Sequence, residues 1–258
     1  MEFTPVQFGP RLAEGKTKVI HAHPDKPELV YMLHKDGITA GDGARRSELP
    51  GKGELACRTT SNVFYLLEIE GVRTHYIGMV APNVNIVTRC TMVPLEVVMR
   101  RIATGSYLKR NPGVVEGARF DPVLVETFLK DDARHDPMVT NAEIQTMGLA
   151  TLAELDYLQA TGRHVFAILE QAWAKLDVTL VDCKIEFGRN SEGDLQVADV
   201  IDNDSWRIWL GGDKTRMLDK QIYRNMPEVT DERLQALLAK YQQVAELTDR
   251  FVEEECKA

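Results

Sequence analysis

Apolar residues recur at two different periods along this chain, and the alternation between the periods outlines its elements. Thr17 to His21 and Leu29 to His34 are short β-branched or aromatic runs on either side of His23-Pro24-Asp25-Lys26-Pro27, which predicts a β-hairpin. Gly53 to Glu70 carries Leu55, Val63, Leu66, Leu67 and Ile69 at mostly helical spacing, and strand-like runs follow at Thr74 to Val80 and Val84 to Val93. Leu152, Leu155, Leu158, Val165, Ile168, Leu169, Ala172, Trp173 and Leu176 step by threes and fours. They predict an amphipathic helix over Thr151 to Leu176, with a break expected near Gly162. A second such helix begins at Thr230-Asp231-Glu232-Arg233, where Thr230 can cap and the acids suit the first turn.

Between these segments, Ile38 to Gly53 holds four glycines and Pro50 among charged residues, and is expected to be a long loop without an element of its own. The order of strands and helices lacks a regular βαβ alternation and predicts an α+β fold. No linker rich in Pro, Gly or Ser separates independent domains. The hairpin and long loop precede Val93-Pro94 and the long helices follow it, so a β-rich part over residues 1–90 is expected to precede a larger α+β part over 91–258.

The 258 residues include 31 Lys plus Arg against 39 Asp plus Glu, a formal charge of -8, which disfavours a broad nucleic-acid surface. No run reaches the roughly 18 apolar residues of a membrane span, and no basic, apolar leader opens the chain, so the cytoplasm is the expected compartment. Cys57, Cys90, Cys183 and Cys256 lie far apart without zinc spacing and read as reduced thiols.

The residues with chemical potential fall in a few segments. Glu14-Gly15-Lys16-Thr17-Lys18 lacks the glycine a P-loop requires at position 10, and the β-branched residues after it favour a strand. A glycine turn in a hairpin, flanked by Lys16 and Lys18, can lie over a nucleotide's phosphates; an ordinary surface turn is the alternative. Along Leu180 to Gly188, Val181, Cys183, Ile185 and Phe187 alternate with Asp182, Lys184 and Glu186, so two acids and a lysine share one strand face. After a turn at Arg189 to Asp194, a strand from Leu195 to Ile201 carries Asp199 towards that acid row. Gathered carboxylates suit Mg²⁺ bridging to nucleotide phosphates, against the alternative of a solvated sheet face. Arg100 to Arg110, with Gly105 and Ser106, combines guanidinium forks with small residues and suits a small anion, or forms a basic surface loop. Arg207, Lys214, Arg216, Lys220 and Arg224 add positive charge beyond the acidic hairpin, where Trp206 and Trp209 are expected in the core.

In this order, the motifs resemble those of the SAICAR synthetases (phosphoribosylaminoimidazole-succinocarboxamide synthases). The resemblance rests on Glu14 to Lys18, Arg100 to Arg110 with Asn111-Pro112-Gly113, Lys130-Asp131-Asp132, Val181 to Gly188 and Ala198 to Arg207. Its wording is closest to the synthetase portion of the bifunctional animal enzyme. Asp202-Asn203-Asp204 stands where many bacterial members have Ser-Pro-Asp, and Thr17 where they have Ala.

The resemblance implies a two-lobed fold with ATP between the lobes. It also implies ATP- and Mg²⁺-dependent joining of L-aspartate to carboxyaminoimidazole ribonucleotide. On the same basis Gly15, Lys16, Lys18 and Glu186 would contact ATP, and Glu186 and Asp199 would hold Mg²⁺. Arg100, Ser106 and Arg207 would grip the ribonucleotide, with Lys220 and Arg224 closing over its anions. Asp182 and Lys184 would face the reacting groups, Lys184 steadying the transferring phosphoryl charge. A homo-oligomer is left open. Another ATP-dependent ligase or small-molecule kinase, or a silent nucleotide binder, are the competing readings; the Arg100 and Asp199 segments argue against the first, and retention of Lys16, Glu186 and Asp199 against the second.

Overall fold

The computed structural model describes residues 3–41 and 43–253; Cys256 lies outside them. The chain opens with β1 (Arg11–Glu14), β2 (Lys18–Ala22) and β3 (Leu29–His34). Next come β4 (Gly37–Ala40), β5 (Arg45–Glu48), α1 (Lys52–Ile69), β6 (Tyr76–Ala81) and β7 (Val84–Thr88). β1, β2, β3, β7 and β6 form one antiparallel sheet in that order. The expected hairpin is β2 with β3, and the glycine turn joins β1 to β2, closed by Gly15 N–H donating to the Lys18 carbonyl at 2.9 Å.

The segment expected to be a plain loop is instead a small hairpin. β4 and β5 pair with Ile38 opposite Ser47, and Ile38 is fully buried. The sequence hid it because β5, Arg45 to Glu48, has no apolar residue, so no alternation marks it. Ile38, Ala40 and Leu49 earn the hairpin its place by joining Tyr223, Met226, Leu237 and Tyr241 in a second core.

β8 (Thr91–Ile102), α2 (Ser106–Arg110), β9 (Arg119–Leu129), α3 (Asn141–Thr146) and α4 (Leu152–Lys175) follow. Then come β10 (Val178–Arg189), β11 (Leu195–Ala198), β12 (Trp206–Leu210), α5 (Gln221–Asn225) and α6 (Asp231–Glu253). The second sheet runs β11-β10-β8-β9, and β12 also pairs with β10. The single run expected over Val84 to Val93 is therefore split between two sheets at Arg89 and Cys90. Likewise, Arg100 to Arg110 is no loop: Arg100 and Arg101 lie just before the end of β8 at Ile102, and Ser106 opens α2.

α4 runs unbroken through Gly162. A Cβ there would lie 2.9 Å from Met99 Sδ and 3.1 Å from Val97 Cγ1, so the glycine permits close contact with β8. Capping boxes at Thr140/Glu143 and Thr151/Glu154 start α3 and α4. The main core gathers Val93, Leu95, Val97 and Met99 of β8, Cys183, Ile185 and Phe187 of β10, and the buried face of α4. Burial of each large side chain contributes roughly 1.5–3 kcal/mol before chain entropy is subtracted. Trp206 and Trp209 are buried, as expected.

α6 returns to pack on α1, and Arg58 Nε donates to Asp249 Oδ1 at 2.9 Å across 191 positions of sequence. No helix among the described residues is long and apolar enough to cross a membrane.

Candidate active site

The site starts from a fault in strand alternation. Val178 and Leu180 of β10 point into the main core, as do Cys183, Ile185 and Phe187, so the parity changes between them. A register shift against β12 at Leu180 to Asp182 makes that change, as a β-bulge does. Asp182 thereby joins Lys184 and Glu186 on the face away from the core. On neighbouring β8, Glu96 lies opposite Glu186 and Arg100 opposite Asp182, while the odd-numbered residues between them are core.

Lys184 Nζ donates to Glu186 Oε1 at 2.7 Å and to Glu96 Oε1 at 2.9 Å. Lys130, just past β9, pairs with the other oxygen of Glu186. Lys18 of β2 pairs with Asp199, so the glycine-turn hairpin reaches the acid row of the second sheet. Asp199 itself is not in a strand as expected. β11 stops at Ala198, opposite Glu186, and Asp199 turns out with φ 66, with its carbonyl bonded to the His75 ring.

These groups line a cleft of about 470 Å³ that also receives Gly15, Lys16, Thr39, Gly41, Asp136, Asp204, Lys220 and Arg224. Among the described residues its walls carry six cations and five carboxylates, in a chain whose net charge is -8. This local excess of positive charge suits an anionic ligand.

The charges hold one another in their ionised forms. Burial favours neutral Lys184, but Glu186, Glu96 and Asp199 outweigh it and raise its pKa. Burial likewise works to raise the Asp199 pKa, yet Lys18, Lys184 and Lys130 hold it well below the usual carboxylate range. For Lys130 too, Glu186 and Asp199 overcome burial and raise the pKa.

A second network lies further along the same strand face. Arg100 is buried, with Nη1 donating to Asp182 Oδ2 at 2.8 Å and Nε to Glu126 Oε2 at 2.6 Å. Arg207 Nη1 donates to the same Asp182 oxygen at 2.6 Å. Gly105, with φ +58, lies against this guanidinium, since a Cβ there would be 2.6 Å from Arg207 Nη2, and Ser106 follows it at the start of α2. Thus Arg100 and Arg207 meet at the Asp182 carboxylate, with exposed Ser106 following Gly105 at the start of α2, whereas Gly15, Lys16, Lys18, Lys184, Glu186, Asp199, Lys220 and Arg224 line the cleft.

Glu96, Asp136 and Asp204 are cleft acids that sequence reasoning missed. Glu96 was detectable, because Val93, Leu95, Val97 and Met99 alternate with it in the same way as the noted residues of β10. Asp136 and Asp204 sit in irregular backbone, where no period marks a face. Among the described residues, no group of three or more His, Cys, Asp or Glu side chains is arranged to hold a metal. The carboxylates of Glu186 and Asp199 nonetheless supply hard oxygen donors beside an anion-attracting cleft, and that donor chemistry fits Mg²⁺ bound jointly with a phosphate.

An α+β fold with a cleft of interleaved lysines and carboxylates defines a protein that handles highly charged small anions. The SAICAR synthetase family model matches residues 11–240, and the chain belongs to that family. The phosphoribosylaminoimidazole-succinocarboxamide synthase of Roseiflexus sp. (strain RS-1) is 59% identical over 96% of this chain and 99% of that protein. The probable multifunctional protein ADE2 of Caenorhabditis elegans is 45% identical, over 93% of this chain and 58% of its own length. Among solved structures, a SAICAR synthetase in complex with ADP superposes with a TM-score of 0.83 at 34% identity, covering 92% of this chain and 96% of that one.

Proposed function

We propose that this protein joins L-aspartate to the carboxylate of carboxyaminoimidazole ribonucleotide at the expense of ATP, yielding the succinocarboxamide, ADP and phosphate in de novo purine synthesis. Near-complete alignment with the Roseiflexus synthase carries this reading. The cationic excess of the cleft and the ADP complex of a relative support it.

Carboxylates are poor acyl donors. In the proposed sequence a carboxylate oxygen of the ribonucleotide attacks the γ-phosphorus and ADP leaves. The aspartate amine then attacks the acyl carbon, losing a proton as phosphate departs with the bridging oxygen. Such chemistry needs charge neutralisation and alignment more than a protein nucleophile. Gly15, Lys16 and Lys18 bring a hairpin turn and two ammonium groups to the ATP phosphates. Lys184, fixed between Glu96 and Glu186, steadies the transferring phosphoryl group. Glu186 and Asp199 would hold Mg²⁺, which when bound supplies Lewis-acid stabilisation of phosphate charge.

Arg100, Ser106 and Arg207 would bind the ribonucleotide around Asp182, and Lys220 and Arg224 would close over its anions. In this reading residues 1–90 form the nucleotide-binding lobe, residues 91–258 supply the metal and substrate groups, and the reaction takes place in the cytoplasm.

The test is ADP release with ATP, Mg²⁺, the ribonucleotide and aspartate, omitting each in turn and weighing the product by mass spectrometry. Dependence on all four, with the succinocarboxamide as product, is expected. Release without aspartate would point instead to a kinase, and none from folded, ATP-binding protein to a silent binder.

A further inference from the structure

Lys52 is the first residue of α1, and its side chain is only 1% exposed. Burying an ammonium group costs several kcal/mol unless its surroundings compensate, and a methionine would fill similar space at no such cost. Its surroundings point to a purpose. Nζ lies 3.8 Å from Asp204 Oδ2 and 5.8 Å from the centre of the Tyr241 ring. At 3.8 Å, Lys52 acts on Asp204 by charge and makes no hydrogen bond.

Two groups do bond that carboxylate. Lys220 Nζ donates to Oδ2 at 2.9 Å, and the Tyr241 hydroxyl donates to Oδ1 at 3.1 Å. Asp204 is thus held by α6, by the start of α1 and by the turn into α5. Asp204 and Lys220 face the cleft, but Lys52 and Tyr241 stand behind its wall, Tyr241 being 1% exposed. Burial pushes the Asp204 pKa up, and Lys52 with Lys220 more than offsets it, keeping the carboxylate ionised.

We propose that Lys52 and Tyr241 are positioning residues for Lys220: they fix the Asp204 carboxylate, which holds the Lys220 ammonium at the cleft wall facing an anionic substrate. The inference rests on the ligase reading of the cleft. Lys52 and Tyr241 touch no substrate in it, and their effect passes through Asp204 and Lys220.

The test compares steady-state kinetics and melting temperatures of the full-length wild type, Lys52→Met, Lys220→Met and the double variant. Lys220→Met is expected to raise KM for one anionic substrate, ribonucleotide or aspartate, by about tenfold. Lys52→Met should raise KM for that same substrate by about three- to tenfold in protein whose melting scan still shows a cooperative folded state, at a lower temperature than the wild type because Asp204 loses a buried counter-charge. The double variant should be no worse than Lys220→Met alone, because residues acting through one contact are not additive.

Unchanged KM in folded Lys52→Met, a change in a different substrate, or full additivity overturns the inference. Should Lys52→Met fail to fold, Tyr241→Phe decides, since it keeps the ring and loses only the hydroxyl. A rise of about threefold in the same KM, absent from the Lys220→Met background, supports the proposal, and no rise overturns it. Wild-type protein lacking aspartate-dependent ADP release overturns the ligase reading and the inference with it; an active wild type with unaffected variants overturns the inference alone.

Discussion

Arg100 and Arg207 share one acceptor: both donate through Nη1 to Oδ2 of Asp182, at 2.8 and 2.6 Å. The side chains of Arg100 and Asp182 are 5% and 9% exposed, so removing the carboxylate charge leaves guanidinium charge poorly answered in a dry setting. Asp182→Asn is therefore expected to destabilise the protein by about 3 kcal/mol, read from the urea unfolding midpoint. A midpoint shift equivalent to less than about 1 kcal/mol would show that Glu126 alone suffices for Arg100.

Glu186 is 1% exposed and accepts from both Lys130 and Lys184. Glu186→Gln keeps the shape and removes the charge, so the fold should survive. Magnesium-dependent turnover should fall by about a hundredfold or more. Titrating Mg²⁺ against ADP release checks this, and near-normal turnover at low magnesium would remove Glu186 from the metal site.

At Gly162 two effects of opposite sign compete. Alanine gains about 1 kcal/mol of helix propensity, but its Cβ would press on Met99 and Val97, both fully buried. Overpacking costs about 1–3 kcal/mol, and the β-branched Val97 has little room to yield, so Gly162→Ala should lower stability on balance. A higher melting temperature than wild type would show that α4 can move away from β8.

His34 is buried and bonded through Nε2 to Asn85 Oδ1 at 2.7 Å, while Asn85 Nδ2 donates to Ser61 at 2.8 Å, so the His34 ring is the donor. Burial lowers its pKa from 6.5 to about 4. Between those values the unfolded chain binds the extra proton, so stability present above pH 6.5 is lost as pH falls towards 4, by up to about 3 kcal/mol. Burial raises Asp219 from 3.8 to about 6, which acts in the opposite sense, because that contribution is lost as pH rises through 6. The measurement is therefore the difference between wild type and His34→Gln. Urea midpoints at pH 7 and pH 4.5 should fall less in the variant, and equal falls would contradict a neutral His34.

Legibility in the sequence followed the strength of periodicity. β2, β3, α4 and α6 carry apolar residues at a clear period, and β10 announced both its core side and its charged side. What escaped was set by tertiary contact. β4 and β5 are defined by packing on α5 and α6, and Arg45 Nη1 donates to the carbonyls of Tyr223 and Met226 at 3.0 and 2.7 Å. Gly162, read locally, suggests a break; only the proximity of β8 explains it. In the cleft, the residues noted on β10 and the glycine turn do converge. Asp199 was expected on a strand, and the positive φ that turns it out leaves no trace in composition. Asp136 and Asp204 lie on irregular segments whose course depends on the rest of the fold.

The packing of α6 on α1 also bears on the order in which the protein is made. A ribosome releases α1 long before α6, whose Asp249 lies 191 residues beyond its partner Arg58. Throughout that interval α1 has no α6 to cover it, and Tyr241 has not yet reached Asp204. The nascent chain can pair β2 with β3 early, but one wall of the cleft awaits α6. Biosynthesis thus withholds the finished site until α6 has emerged, and a chain interrupted before α6 would carry most of the charged groups without the frame that sets them against one another.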